Sequence, residues 1–265
     1  MSSPETPDWH GTEDRPNNFG PVAENYEKHH SQYPSGLGAD ILQAASLPPR
    51  ASLLEVGSGT GRATRLFTGQ GFDITCIEPI EEMAAIAREI IGNDQGVNYV
   101  RSTFEDWSQP ADKYDLVFSG QAFLWVEPDI GYKKLADVLR PGGTAALFWY
   151  TPAMVDPELR DQVDRIYTEL APEIGGHMYQ PSRFDDALEH LERTATLGSI
   201  EKREYVDTRI DSTQDWLAML GTTSDHLALP DKRRDALLHA IGDAIDQIGG
   251  VEVKVATRLW LATRV

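Results

Sequence analysis

Three glycines spaced two apart, Gly57, Gly59 and Gly61, follow the run Leu53-Leu54-Glu55-Val56 and lead into Arg62-Ala63-Thr64. The run reads as a buried strand, Ser52–Val56, whose carboxyl end meets a turn where backbone can approach a ligand closely. A helical pattern from about Gly61 to Thr68 would set free N–H groups beside that turn and favour an anionic part of the ligand. The next strand, Asp73–Ile77, ends in Glu78-Pro79, so an acidic side chain lies roughly 20 residues beyond the glycine turn. At that separation one strand-helix-strand unit returns the carboxylate to a ribose, where it accepts hydrogen bonds from both hydroxyls and repels a 2′-phosphate. NADP is thereby disfavoured. A dinucleotide fingerprint needs a third small residue three positions after Gly59, and Arg62 stands there, which also argues against an NAD-dependent oxidoreductase.

The elements that must position these groups follow in order. Gly69-Gln70-Gly71 closes the helix after the turn. A helix from Glu81 to Ile91 carries Met83, which suits either an adenine pocket or a core position. A third strand, Asn98–Arg101, precedes Ser102-Thr103-Phe104-Glu105, and Tyr114–Ser119 forms a fourth. The helix Tyr132–Leu139 ends at Arg140-Pro141-Gly142-Gly143, a turn in which proline blocks continuation, before the strand Thr144–Tyr150. Beyond it come a helix at Asp156–Leu170, a loop at Pro172–Pro181, a helix around Phe184–Glu192 and a strand at Ile200–Thr208. Helices at Thr213–Gly221 and Asp231–Ile248 lead to a closing strand at Val251–Ala262, marked by alternation and β-branching.

Composition bounds the function. The 265 residues carry 40% hydrophobic side chains, enough for a real core. The net charge of −18 repels phosphates, and with no dense Lys/Arg cluster it excludes a polynucleotide partner. Ordinary solubility or a saline host would both explain that acidity. No apolar run approaches the roughly 20 residues of a membrane helix, and the N-terminus lacks a basic start and an apolar stretch. The single cysteine, Cys76, has no intramolecular partner, so a reducing cytoplasm is expected.

The pattern E-x-G-x-G-x-G at Glu55–Gly61 resembles motif I of the class I S-adenosylmethionine-dependent methyltransferases. Glu78, the Y-D-L-V of the fourth strand, the Gly120-Gln121-Ala122-Phe123-Leu124-Trp125 loop and the L-R-P-G-G turn resemble that family in the same order. The resemblance implies a Rossmann-like α/β sheet, parallel except for one strand, with a sixth and an antiparallel seventh strand at its end. It implies S-adenosyl-L-methionine as cofactor, near Glu55, Gly57, Ser58, Gly59, Gly61, Glu78, Pro79 and Met83. Thr103, Phe104 and Glu105 would border the adenine, and Ser119, Gly120 and Gln121 the end of the fourth strand. Phe19-x-x-Val22-Ala23-x-x-Tyr26, with Tyr33-Pro34 after it, resembles the N-terminal segment of small-molecule methyltransferases related to the trans-aconitate enzyme. There it covers the cofactor, so Tyr26 and Tyr33 join the expected site. His30 stands where relatives often have Arg, and Leu124 replaces a common histidine.

One domain is expected: residues 1–18 a flexible tail, 19–49 an N-terminal cap, 50–150 the cofactor-binding core, and 151–265 substrate-side helices and last strands. The implied reaction is methyl transfer to an O or N nucleophile, less readily C, of a small and partly apolar metabolite. Holding that nucleophile in line with the S–CH₃ bond supplies about 7–11 kcal/mol. Trp125, Trp149, Tyr150 and Trp216 are candidate pocket walls as well as candidate core residues. His177 and Tyr179 fall in a loop on the expected substrate side. No histidine is assigned as a base, since a carboxylate acceptor needs none, and no cluster has metal-ligand spacing. A methyltransferase-like protein that binds the cofactor without transfer stays open, and the oligomeric state is unassigned.

Overall fold

In the structure, a computed structural model, residues 16–92, 94, 96–109, 113–174 and 181–265 are described. After a 3₁₀ segment at Pro16–Val22 come helices α1 (Ala23–His29) and α2 (Leu37–Ala45), strand β1 (Ser52–Val56) and strand β2 (Asp73–Ile77). Helix α3 (Glu81–Ile91), strands β3 (Val97–Val100) and β4 (Tyr114–Gly120), helix α4 (Pro128–Val138) and strand β5 (Leu139–Met154) follow. The remainder is α5 (Pro157–Leu170), α6 (Pro181–Arg193), β6 (Glu201–Asp211), α7 (Thr213–Leu220), α8 (Ser224–Leu227), α9 (Asp231–Asp246) and β7 (Val251–Thr263).

The seven strands form one sheet in the order β3-β2-β1-β4-β5-β7-β6. β1, β2, β3, β4 and β5 pair in parallel, and β7 enters antiparallel between β5 and β6. This is the Rossmann-like arrangement with a single reversed strand. The order turns back between β1 and β4, which opens a crevice at the carboxyl ends of those strands.

Alternation along the strands sends Leu54, Val56, Val117, Leu147 and Trp149 to one face and Leu53, Leu116, Phe118, Ala146 and Phe148 to the other. Both faces are covered, so the central strands are apolar almost throughout. A third cluster joins the far ends of β5 and β7 to α5, α7 and α9 through Met154, Val253, Leu159, Trp216 and Ile241.

Two sequence expectations fail locally. The α-helix over Gly61–Thr68 is replaced by turns and a short 3₁₀ segment, Thr64–Leu66. Gly61 has a φ of +79°, outside the right-handed helical region, and Thr64 turns its hydroxyl to Glu55 at 2.5 Å. The turn at Arg140–Gly143 lies inside β5, which starts at Leu139. There the N–H of Gly142 donates to the Arg264 carbonyl, and the N–H of Arg264 donates to that of Gly143. The antiparallel chain end supplies the partners that a free turn would lack.

Candidate cofactor-binding site

A cavity of about 280 Å³ occupies the crevice at the carboxyl ends of β1, β2 and β4. The N–H groups of Gly57 and Ser58 both donate to the Ile77 carbonyl, which fixes the glycine turn against β2. Glu78 holds the turn from the other side. Its Oε2 accepts the Gly59 N–H at 2.7 Å and its Oε1 accepts the Ile80 N–H at 2.9 Å. The buried carboxyl is pushed above its ordinary range by lost hydration, and those two donors oppose the shift.

The three glycines do different work. A Cβ on Gly57 would sit 2.2 Å from the Cβ of Ala122, and one on Gly61 would sit 2.9 Å from Ile91 Cδ1 on α3. Gly59, at a φ of +53°, would meet only Met83 Cε at 3.5 Å, because its open side is the cavity. Gly57→Ala is therefore expected to destabilise the fold by about 1–3 kcal/mol through overpacking. Gly59→Ala should keep near-native circular dichroism, with backbone strain of about 1–2 kcal/mol, while its methyl blocks the ligand. Normal affinity for S-adenosylhomocysteine in folded Gly59→Ala would show that the turn does not touch the ligand.

The cap closes the cavity by a cationic clamp. Arg62 is 7% exposed and donates to the carbonyls of Glu27, His30 and Ser31 at 2.8, 2.7 and 2.5 Å. Glu27 lies in the last turn of α1, where a cation is favoured, and His30 and Ser31 follow directly after the helix. Thr60 and Arg65 reach the Glu27 carboxylate at 2.6 and 2.8 Å, and Arg209 donates to the Ser31 hydroxyl at 2.6 Å. Tyr26 stacks on His30 with ring centroids 3.9 Å apart, and Tyr33 meets Phe148 and Tyr150 edge-on. Gly120 lets Tyr33 in, for a Cβ there would be 2.4 Å from its hydroxyl.

The hydrogen bonds around His30 assign its tautomer. The Thr222 hydroxyl donates to the Met219 carbonyl, so it accepts from His30 Nε2–H at 2.9 Å, and the Tyr150 hydroxyl donates to Nδ1 at 2.6 Å. Lost hydration first, then the Arg62 and Arg209 cations, push the imidazole down to about 3. The unfolded chain takes up a proton near 6.5 that the folded protein refuses, so this group's stability is lost as pH falls from 6.5 towards 3. His30→Gln should flatten that slope, about 1.4 kcal/mol per pH unit. Nuclear magnetic resonance of the wild type should show this imidazole neutral at pH 5, and a protonated ring there would refute the assignment.

Of the residues singled out from sequence, Tyr26, Tyr33, Glu55, Gly57, Ser58, Gly59, Glu78, Pro79, Met83, Thr103, Phe104, Glu105, Gly120, Gln121 and Trp125 line the cavity. Gly61 instead packs on α3. Ser119 is fully buried and donates to the Val56 carbonyl at 2.7 Å. Trp149 is core, against Phe184 and Trp260 with centroids 6.0 and 4.9 Å away, and Trp216 is core as well. His177 and Tyr179 lie outside the described residues. Sequence reading missed Arg62 and Thr60 as lining residues; a lone cation beside a glycine turn was the signal available. Thr222 gave no local signal at all.

The lining suits a ligand with both charges. Among the described residues it carries the carboxyl groups of Glu55, Glu78 and Glu105 and the guanidinium of Arg62. Three buried atoms of lining residues have no hydrogen-bond partner among the described residues: Glu55 Oε1, Ser58 Oγ and Arg62 Nε. An acceptor, a hydroxyl and a cationic donor left open together fit the ammonium and carboxylate of an α-amino acid.

Comparison with known proteins agrees with this geometry. Residues 54–147 match the family model described as a methyltransferase domain. An uncharacterized methyltransferase of Mycobacterium tuberculosis is 31% identical over 133 residues, 50% of this chain and 52% of that protein. A malonyl-[acyl-carrier protein] O-methyltransferase of Enterobacter lignolyticus is 32% identical over 147 residues, 54% of this chain and 55% of that one. The chain spans about half the length of the curated relatives it matches. Among solved structures, a provisionally assigned type II methyltransferase of Anaeromyxobacter dehalogenans superposes with a TM-score of 0.64 at 22% identity, covering 88% of this chain and 97% of that one. The phosphoethanolamine N-methyltransferase 2 of Haemonchus contortus, in complex with phosphomonomethylethanolamine and S-adenosylhomocysteine, gives 0.57 at 14% identity, covering 99% and 61%. Residues 54–147 thus match a methyltransferase domain, and the chain shares its fold with methyltransferases of known structure.

Proposed function

We propose that the protein transfers a methyl group from S-adenosylmethionine to an O or N nucleophile of a small, partly apolar metabolite. The observation that carries this reading is the junction of the glycine turn, Glu78 and the Arg62-clamped cap around one cavity. In it the Glu78 carboxylate would accept the ribose hydroxyls with the lone pairs that Gly59 and Ile80 leave free. Thr103, Phe104 and Met83 would border the adenine, while Glu55, Ser58 and Arg62 would hold the amino-acid end. The bound cofactor supplies a methyl on a sulfonium, a good leaving group.

The chain's own task is then to orient the acceptor and exclude water. Tyr26, Tyr33 and Trp125 give aromatic walls that can face a cation, each worth roughly 0.5–2 kcal/mol. Gln121 is fixed for that purpose: its side-chain amide pairs with the Tyr150 N–H and carbonyl at 3.1 and 3.2 Å, which holds its backbone at a φ of +66°. Behind Tyr26 and Tyr33, the His30 imidazole and the Tyr150 phenol are both kept neutral by lost hydration. The small-molecule acceptor, the domain partition and a cytoplasmic setting belong to the same reading. It is tested by calorimetric titration with S-adenosylhomocysteine and NAD⁺, then by following labelled methyl into a metabolite extract. Binding of NAD⁺ alone would replace the reading with an oxidoreductase, and cofactor binding without label transfer would leave a cofactor-binding protein.

A further inference from the structure

We propose that Glu55 is a specificity-determining residue that loses a proton when the cationic cofactor enters and regains one when only the thioether product remains. The pocket would thereby distinguish a sulfonium ligand from an uncharged one. The inference rests on the cofactor reading above.

The geometry singles out this side chain. Glu55 is wholly buried yet lines the cavity. Its Oε2 accepts from Thr64 Oγ1 at 2.5 Å and from the Cys76 thiol at 3.6 Å, while Oε1 has no partner among the described residues. A carboxyl group with one oxygen doubly occupied can keep its proton on the other, beside the ligand space. The titratable groups around it are Cys76 and Glu78 from β2 and its end, Tyr99 from β3 and Tyr33 from the cap. Burial keeps the thiol and both phenols protonated, so Glu78 is the neighbour whose charge opposes a second one. Lost hydration, helped by Glu78, raises Glu55 to about 8 against the pull of Thr64 and Cys76.

A cation in this cavity reverses that balance. The space of about 280 Å³ keeps an occupant's charge within roughly one Debye length, ~8–10 Å, of Glu55, behind walls that screen poorly. Arg62 is balanced by the Glu27 carboxylate at 3.4 Å and its Nη atoms hold cap carbonyls, so that cation does not neutralise Glu55 in advance. S-adenosylmethionine brings a net positive charge, and the proton of Glu55 then leaves for solvent. After transfer the sulfur keeps the bonding electron pair and is neutral, and Glu55 takes one proton from solvent.

The test is calorimetry on the whole chain at pH 7 in buffers of different ionisation enthalpy. S-adenosylmethionine should release about one proton more than S-adenosylhomocysteine, and its affinity should rise up to about tenfold per pH unit until pH 8. The ligands' α-amino groups also titrate, near 7.7–8.0, so each result is compared with Glu55→Gln, where that contribution persists and the Glu55 contribution vanishes. In Glu55→Gln the extra proton should disappear and the preference for the sulfonium should fall about tenfold. Should that variant fail to bind, infrared difference spectra of the wild type decide. The carboxylic-acid C=O band should vanish on adding S-adenosylmethionine and survive S-adenosylhomocysteine. Equal proton release by both ligands, or a band that survives both, would overturn the proposal while leaving the cofactor reading intact. If neither ligand binds the wild type, that reading and this proposal fall together.

Discussion

Glu78→Ala is expected to weaken S-adenosylhomocysteine binding about 30- to 1,000-fold, or roughly 2–4 kcal/mol, the worth of charge-assisted bonds to two ribose hydroxyls. A second effect follows from the structure. The same carboxylate receives the N–H groups of Gly59 and Ile80. Removing it strands two donors beside the turn, so thermal or denaturant unfolding should show a stability loss of about 1–3 kcal/mol. Glu78→Gln restores one acceptor and should recover part of the stability and less of the affinity, because the charge is gone. Unchanged calorimetric affinity in Glu78→Ala would remove this residue from the ligand site.

The other large effect is expected at Arg62. Arg62→Met keeps most of the stem volume but leaves the carbonyls of Glu27, His30 and Ser31 without their donor, while Glu27 keeps Arg65 as its counter-ion. Stranding three carbonyls that shared one cationic donor costs about 3–5 kcal/mol. The loss should be concentrated in the cap, so amide exchange over residues 19–33 should quicken more than exchange in the sheet. Cofactor affinity should fall with it, since Tyr26 and Tyr33 reach the cavity only from a docked cap. Arg62→Lys should rescue little, because one ammonium cannot span three carbonyls as a planar guanidinium does. Unaltered exchange in Arg62→Met would mean that the apolar contacts of Ala23 with Ile80 and Met83 hold the cap by themselves.

What the chain's text determined by itself was the strand β1, the glycine turn and the acidic end of β2, while the parallel sheet followed from the family resemblance of those motifs. These are local or periodic features: an apolar run, a residue that tolerates positive φ, and a spacing set by one crossover between neighbouring parallel strands. The helix α3 was legible to the residue, because its buried positions Met83, Ala84 and Ala87 recur at helical spacing along Glu81–Ile91. Tertiary structure decided the rest. Gly61 and Trp149 carry the right residue type for the site, but α3 fills the space beside one and Phe184 and Trp260 enclose the other. Arg62 read as a departure from a fingerprint until the folded chain brought three carbonyls to it. His30 meets Tyr150 and Thr222, 120 and 192 residues away, a pairing that no local pattern encodes. The protonation of Glu55 and of His30 depends on the same assembly, since the cost of burying a charge is set by which side chains surround it, and only folding brings those together.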